Sequence, residues 1–292
     1  MNGLLNVYKP SGMTSHDVVQ HIRRQLKIKQ VGHLGTLDPL AEGVLVVAVG
    51  SATKLIPFLE DSSKSYVAEV IFGFSTTTYD LEGDITAQKD EFIFNKEDFD
   101  SALNDFLGDI DQIPPIYSAI KVNGRKLYDY ARSNQTVEIP SRKVRINKLE
   151  RVSDYYEDDY KKVKIEADVS KGTYIRSLCK DIGDRLGVPT CMGKLIRTRC
   201  GNHCIENAIN LNETDLEKYI ITPLAALSHL PSIDIENNED LIKKVNNGMK
   251  LSPHVLDVEA ELLVVKCGNS LKAIYKFNSE DIKGYQAVRV WN

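Results

Sequence analysis

The 292-residue chain contains no apolar run approaching the roughly 20 residues that a membrane-spanning helix needs. It also lacks an N-terminal cationic stretch followed by the apolar core of a secretory signal, so cytoplasmic residence is the expectation. Five cysteines (Cys179, Cys191, Cys200, Cys204, Cys267) make an odd, irregularly spaced set that describes no disulfide framework. The grouping of Cys191, Cys200, His203 and Cys204 lacks the paired C-x2-C knuckles of a structural zinc site, and no metal is expected. Internal repeats and low-complexity tracts are absent, while 42% hydrophobic residues suit a globular protein and exclude a disordered one. The length accommodates one large domain and a small one.

Strong net charge is also missing, at −4, which is a poor match to a polyanion partner until the charges are placed. Residues 120–200 hold 19 Lys/Arg against 11 Asp/Glu, a balance of +8 that leaves −12 for the rest of the chain. A basic region within an acidic protein fits a localised phosphate-binding surface, because Lys and Arg displace counterions where they meet a nucleic-acid backbone.

What is present begins with Val31–Lys54, where Gly32, Gly35, Gly43 and Pro39 punctuate a loop running into the apolar stretch Val44–Val49, a buried-strand signature. Asp38 therefore lies on a loop pinned to a core strand. Spacing alone leaves it as either a turn cap or a reactive carboxylate. Upstream, Thr14 or Ser15 can cap a helix with Val18, Val19, Ile22 and Leu26 on its apolar face and Arg23, Arg24 and Lys27 towards its C-terminus. Tyr66–Phe74 and Lys162–Ser170 read as strands. A second helix starts near Tyr174, with Ile175, Leu178, Cys179, Ile182 and Leu186 as its stripe, Arg176 off that stripe in the first turn, and Gly187 and Pro189 as its stop.

From Ile113 to Ile146 the chain is rich in proline, glycine and cations, with a short helix near Leu127–Arg132 and a return strand near Val144; a long basic excursion of this kind usually binds something. After about Pro231 the asparagines Asn237, Asn238, Asn246 and Asn247 with Gly248 interrupt the pattern. A second unit is expected there, with a hairpin of Glu261–Lys266 and Leu271–Phe277 and a third strand, Tyr285–Trp291.

The block His33, Gly35, Leu37, Asp38, Pro39, Gly43, Val44, Leu45 and Ala52-Thr53-Lys54 resembles the catalytic-aspartate motif of the TruB family of tRNA pseudouridine synthases. Further blocks follow in that family's order: Tyr8-Lys9-Pro10-Ser11-Gly12-Met13-Thr14-Ser15, Lys64-Ser65-Tyr66, Ile113–Gly124 and Gly172–Leu178. Glu42 stands where threonine is frequent, Leu34 where a small or hydroxylated residue is commoner, and Leu195-Ile196-Arg197 replaces the usual Leu-Arg-Arg.

The resemblance implies an α+β pseudouridine synthase-like catalytic domain with a central mixed or antiparallel sheet in residues 1–230, and a small PUA-like, β-rich RNA-binding module in 231–292. It implies isomerisation of the uridine at position 55 in the T loop of tRNA, with no cofactor. Asp38 would act either as nucleophile at the ribose C1′ or as base at C2′, with Arg176 as its cation, and Tyr66 would stack on the uracil and take part in removing its C5 proton. His33 would serve the flipped-out nucleotides, Tyr174 and Leu195 the uracil pocket, and Lys9, Lys54, Lys121 and Arg142 the RNA backbone. The insertion at 113–146 would grip the T arm.

A short N-terminus and a minimal C-terminal module favour an enzyme that works alone, as a monomer, over the archaeal and eukaryotic homologue that works in a guide-RNA particle. A non-catalytic RNA-binding factor would not need Asp38. A glycoside hydrolase would need two cooperating carboxylates, and no second acid has a setting comparable to that of Asp38.

Overall fold

The computed structural model describes residues 1–59, 63–89, 91–133, 135–253, 260–278 and 284–291. Its centre is an eleven-stranded mixed sheet. The strands that matter for the site are β1 (Gly3–Lys9), β2 (Val31–Leu34), β3 (Glu42–Val49), β4 (Lys64–Phe72), β5 (Gly108–Gln112), β6 (Arg142–Arg151), β7 (Lys161–Val169), β8 (Thr190–Cys200) and β9 (Ile209–Asn210). Their order across the sheet is β9-β1-β3-β8-β4-β7-β6-β5, with β2 added to β3. The pairs β1–β9 and β3–β8 are parallel and the other pairs of this path are antiparallel, so the expected mixed sheet is present.

Strand β3 is buried from Gly43 to Val49, as its unbroken apolar run requires. Helix α1 (Ser15–Leu26) packs Val18, Val19 and Ile22 against Leu45, Val47 and Val49 of that strand. It opens on a capping box in which Thr14 and Asp17 satisfy each other's backbone donors, an arrangement worth about 1 kcal/mol. Between the two candidate caps, Thr14 is therefore the N-cap. Helix α2 (Lys96–Asn104), the short helix α3 (Leu127–Arg132) and helix α4 (Ile175–Leu186) follow. The α4 apolar face buries Ile175, Leu178, Cys179 and Ile182 against β4, β6, β7 and β8, and Gly187 ends it in the left-handed conformation at φ 66°.

Beyond residue 231 the chain forms a second sheet of β10 (Ser232–Asp234), β11 (Leu262–Cys267), β12 (Ser270–Asn278) and β13 (Gly284–Val290), in that order. The expected hairpin and third strand are β11, β12 and β13. The asparagines expected to break the pattern instead bound helix α5 (Glu239–Asn246), since the Asn238 side chain accepts from Leu241 N at 3.0 Å as its N-cap. Val264, Ile274 and Trp291 share one buried cluster with Leu4, Leu34, Val46 and Leu55, and Trp291 Nε1 donates to Ser51 O at 3.3 Å. The second sheet thus shares an apolar core with the end of the first that carries β1–β3.

Candidate active site

The loop between β2 and β3 carries Asp38, and the first motif of the chain holds that loop in place. Ser15 Oγ donates to Leu37 O at 3.0 Å and accepts from Leu37 N at 2.9 Å. Gly12 N donates to Pro39 O and Ser11 Oγ to Leu40 O, each at 2.9 Å. Lys9 is fully buried, and its ammonium donates to the carbonyls of Pro10, Met13 and Pro39 at 2.9, 2.6 and 3.0 Å. The expectation that Lys9 meets RNA phosphate is corrected here: its charge is spent on backbone carbonyls that join the two loops. Burial pulls this ammonium down to about 8, against the opposing pull of Asp38 and Glu42.

Held in this way, Asp38 does not cap its own turn, which closes through Ala41 N donating to Asp38 O at 3.1 Å. Its carboxylate meets Arg176 instead, with Nε 3.0 Å from Oδ2. The partners are unequally exposed, at 7% for the Arg176 side chain and 42% for that of Asp38, so the cation is fixed and the carboxylate faces the cleft. The rest of the guanidinium is anchored by donation from Nη1 to Thr78 O at 3.2 Å and from Nη2 to Tyr117 O at 3.1 Å.

A second carboxylate shares this arginine: Asp80 Oδ2 lies 3.5 Å from Nη1, its side chain 10% exposed. The setting denied to any second acid by the sequence reading is therefore occupied. Thr78 Oγ1 at 2.5 Å and Glu82 N at 3.0 Å both donate to Asp80 Oδ1, so this acid is a fixed counter-charge and not the mobile acid of a glycosidase pair. Its signal in the sequence is Thr76-Thr77-Thr78-Tyr79-Asp80, a polar run directly after a strand, whose turn needs Tyr79 at φ 62°.

Asp38, Arg176, Tyr66, Tyr174, Leu195 and Arg142 line one cleft of about 950 Å³, together with Asp80, Tyr128 and Arg132. Tyr66, on β4, is buried, and burial pushes its phenol above the usual tyrosine range while Arg197 opposes the shift. Tyr174 is the N-cap residue of α4, its backbone N–H donating to Gln112 Oε1 at 2.8 Å; burial raises its phenol and the nearby charge of Arg176 opposes this. Arg142 is exposed at the start of β6, on the cleft. Lys54 and Lys121 are exposed but stand outside the cleft lining. His33 lies on β2, half-buried, with no hydrogen-bond partner at Nδ1 among the described residues. A second cavity, of about 1000 Å³, lies beyond the Thr76–Asp80 turn and shares Tyr117 with the cleft, but holds neither Asp38 nor Arg176.

Arg197 is a further residue that the spacing did not single out. Fully buried on β8, it donates from Nε to Val44 O at 2.7 Å and from Nη2 to Gly35 O at 3.0 Å, and its charge opposes the upward shift of the Tyr66 phenol. It ties the two sides of the Asp38 loop to each other.

The sequence profile of the TruB family pseudouridylate synthase N-terminal domain matches residues 23–175. The tRNA pseudouridine synthase B of Oceanobacillus iheyensis is 42% identical over 305 residues, covering 100% of this chain and 98% of the relative. That of Limosilactobacillus reuteri is 40% identical, covering 100% and 99%. The chain belongs to the TruB family. Among solved structures, a chain of a Cbf5-Nop10-Gar1 complex superposes with a TM-score of 0.71 at 27% identity, covering 99% of this chain and 84% of its own. The fold is that of a pseudouridine synthase, and the five sequence blocks converge on the cleft: the Tyr8–Ser15 block as the clamp of the aspartate loop, the others as the loop itself and the cleft lining around it.

Proposed function

We propose that this TruB-family enzyme isomerises uridine to pseudouridine at position 55 in the T loop of tRNA, acting alone and as a monomer on the T arm. The observation that carries this reading is the pair formed by a cleft-facing Asp38 carboxylate and a buried Arg176 guanidinium 3.0 Å away. The reaction breaks the N1–C1′ bond of uridine, turns the base, joins C5 to C1′ and then loses the C5 proton while N1 gains one, so that the product is an isomer. It calls for a carboxylate at the sugar and for no second mobile acid, which is what the cleft supplies.

The target base must first leave its stack, at a cost of a few kcal/mol that contacts in the cleft offset. Tyr66 then packs on the uracil, Leu195 covers it and Tyr174 borders it, while Asp38 acts at C1′ or at C2′ with Arg176 as its counter-ion. A phenol kept protonated by burial serves Tyr66 as a stacking ring and hydrogen-bond donor. Arg142, and the segment 113–146 with Tyr128 and Arg132 turned to the cleft, position the RNA backbone; Lys54 and Lys121 extend that contact outside it, and His33 serves the flipped-out nucleotides. Residues 1–230 form the catalytic domain and 231–292 a small RNA-binding module.

The test is tritium release from tRNA labelled at uridine C5, run with bare tRNA, with a transcript carrying cytidine at position 55, and with the Asp38→Asn protein. Release that requires both the uridine and Asp38 is the expected result. Release from the cytidine transcript would overturn the assignment of position 55, and tRNA binding without any release by the wild type would leave a binding factor.

A further inference from the structure

Strand β8 carries one extra residue opposite β4: Met192 pairs with Val70 and Leu195 with Ala68, so three steps on β8 face two on β4. This is a β-bulge, a device that re-aims the side chain that follows it, and here the following side chain is Leu195, buried at the wall of the cleft. Gly193 in the bulge is closely covered, since a Cβ there would lie 2.8 Å from Ile71 Cδ1 and 3.0 Å from Glu69 Oε2, so the ends of these side chains would have to shift.

Two carboxylates grip Lys194, the residue between the bulge and Leu195. Its backbone N–H donates to Glu69 Oε2 at 3.2 Å, and its ammonium lies 2.6 Å from Glu42 Oε1. Glu69 is fixed in turn by Tyr156 Oη, which donates to Oε1 at 3.1 Å, and by Lys162 Nζ at 3.5 Å. Glu42 receives Tyr8 Oη on its other oxygen at 2.5 Å. Burial disfavours the Glu42 carboxylate, but the hydrogen bonds from Lys194 and Tyr8 outweigh this and hold its carboxyl below the usual range, while the Tyr8 phenol is pushed up to about 12. Glu42 pairs with Ile196 across β3 and β8, one residue beyond Leu195. It is also four residues from Asp38 in the sequence.

We propose that Glu42 and Lys194 are positioning residues: their ion pair, backed by Tyr8 and Glu69, locks the β8 bulge and so fixes Leu195 relative to Asp38. The inference rests on the proposed uracil site, where Leu195 covers the base. The alternative use of Lys194, whose side chain is 55% exposed beside a Glu42 that is 14% exposed, is direct contact with RNA phosphate. The two uses predict different kinetics. A lock acts on the reacting geometry, while a phosphate contact acts on affinity.

The experiment measures single-turnover tritium release at saturating enzyme, and tRNA affinity by filter binding, for the wild type, Glu42→Gln, Lys194→Met, the double variant and Lys194→Arg. Both single variants are expected to slow release about tenfold with Kd changed less than about twofold; the double variant is no slower than the worse single, and Lys194→Arg recovers most of the rate. Since the Lys194 side chain is half in solvent, Lys194→Met folds irrespective of its effect on rate. The proposal is overturned if Lys194→Met weakens binding while leaving the single-turnover rate intact, or if both single variants release tritium at the wild-type rate. Failure of the underlying uracil site would show separately, as wild-type release that does not depend on Asp38.

Discussion

Arg176 Nε stands 3.0 Å from Asp38 Oδ2 at the end of a guanidinium whose other nitrogens are committed to Thr78 O, Tyr117 O and Asp80. Arginine supplies this because a planar fork reaches several acceptors at once while remaining charged; lysine, a point charge on a flexible stem, cannot. Arg176→Lys is therefore expected to lower kcat on the order of 10²-fold while leaving tRNA affinity within a few-fold. Asp38→Asn should abolish release and retain binding. Steady-state tritium release paired with filter binding measures both, and a pure KM effect in Arg176→Lys would place the arginine on the RNA backbone instead.

Asp80 neutralises the arginine at Nη1, while Asp38 meets it at Nε. Without that charge the guanidinium has Asp38 as its ionic partner, and the carboxylate is drawn inward. Asp80→Asn keeps the shape and can still accept from Thr78 and Glu82, so the fold should lose only about 1–2 kcal/mol, a few degrees in Tm. The expected loss in kcat is about tenfold or more. A calorimetric melt beside the rate measurement separates the two effects, and an unchanged rate would show that Asp80 is structural.

Lys9 makes the contrast between a buried and an exposed cation testable. Lys9→Met removes three hydrogen bonds to the carbonyls of Pro10, Met13 and Pro39 and leaves them in a dry loop junction. Each unsatisfied acceptor costs about 1–3 kcal/mol, so a marked fall in Tm is expected, with reduced turnover and little change in the salt dependence of tRNA binding. Arg142→Ala should do the reverse, leaving Tm alone, weakening binding and reducing the salt slope by about one.

Lys9 also marks the limit of what could be read from the chain. The helices α1 and α4, strands β3, β4 and β7, and the C-terminal hairpin are legible because each rests on local periodicity or a cap. Asp38, Tyr66 and Arg176 fall in blocks whose resemblance is specific, and they meet in one cleft. The fates of individual cations depend on which strands become neighbours, which no local pattern encodes. Lys9 is buried, and within residues 120–200 Arg176 and Arg197 are buried and Arg199 is tied to Asp168, so part of the basic surplus counted as phosphate-binding surface is internal wiring. Asp80 was missed for the same reason, since its partner lies 96 residues away along the chain and 3.5 Å away in space.

His33 gives a pH prediction whose sign follows from burial. Burial first, and then the charge of Arg197, hold its imidazole below the ordinary value of 6.5, so the folded protein favours the neutral ring. The unfolded chain takes up a proton as pH falls through 6.5 while the folded state resists, and stability declines in that window; above it, both states are neutral and the contribution is complete. His203 is shifted in the same direction by burial. His33→Asn is thus expected to flatten the fall of Tm between about pH 6.5 and 5 in part, with His203 sustaining the remainder. An unchanged slope would mean that the His33 ring is hydrated.

One tight approach in the site is backbone to backbone. Gly43, the second residue of β3, has φ +105°, and a Cβ there would stand 2.3 Å from Arg197 O and 2.9 Å from Arg197 N, atoms of a strand locked by the guanidinium's own bonds to Val44 O and Gly35 O. No side chain can swing aside to relieve that overlap, because the obstructing atoms are main chain. Alanine would carry both a disfavoured φ and a forced separation of β3 from β8, the two strands that bring Glu42 and the aspartate loop beside Leu195. Gly43→Ala is expected to cost about 3 kcal/mol or more, on the order of 10 °C in Tm, with turnover lost well below the melting temperature. Wild-type melting and turnover in Gly43→Ala would mean that β3 and β8 can separate freely, and the rigidity attributed to the Asp38 loop would have to come from Lys9 and Ser15 alone.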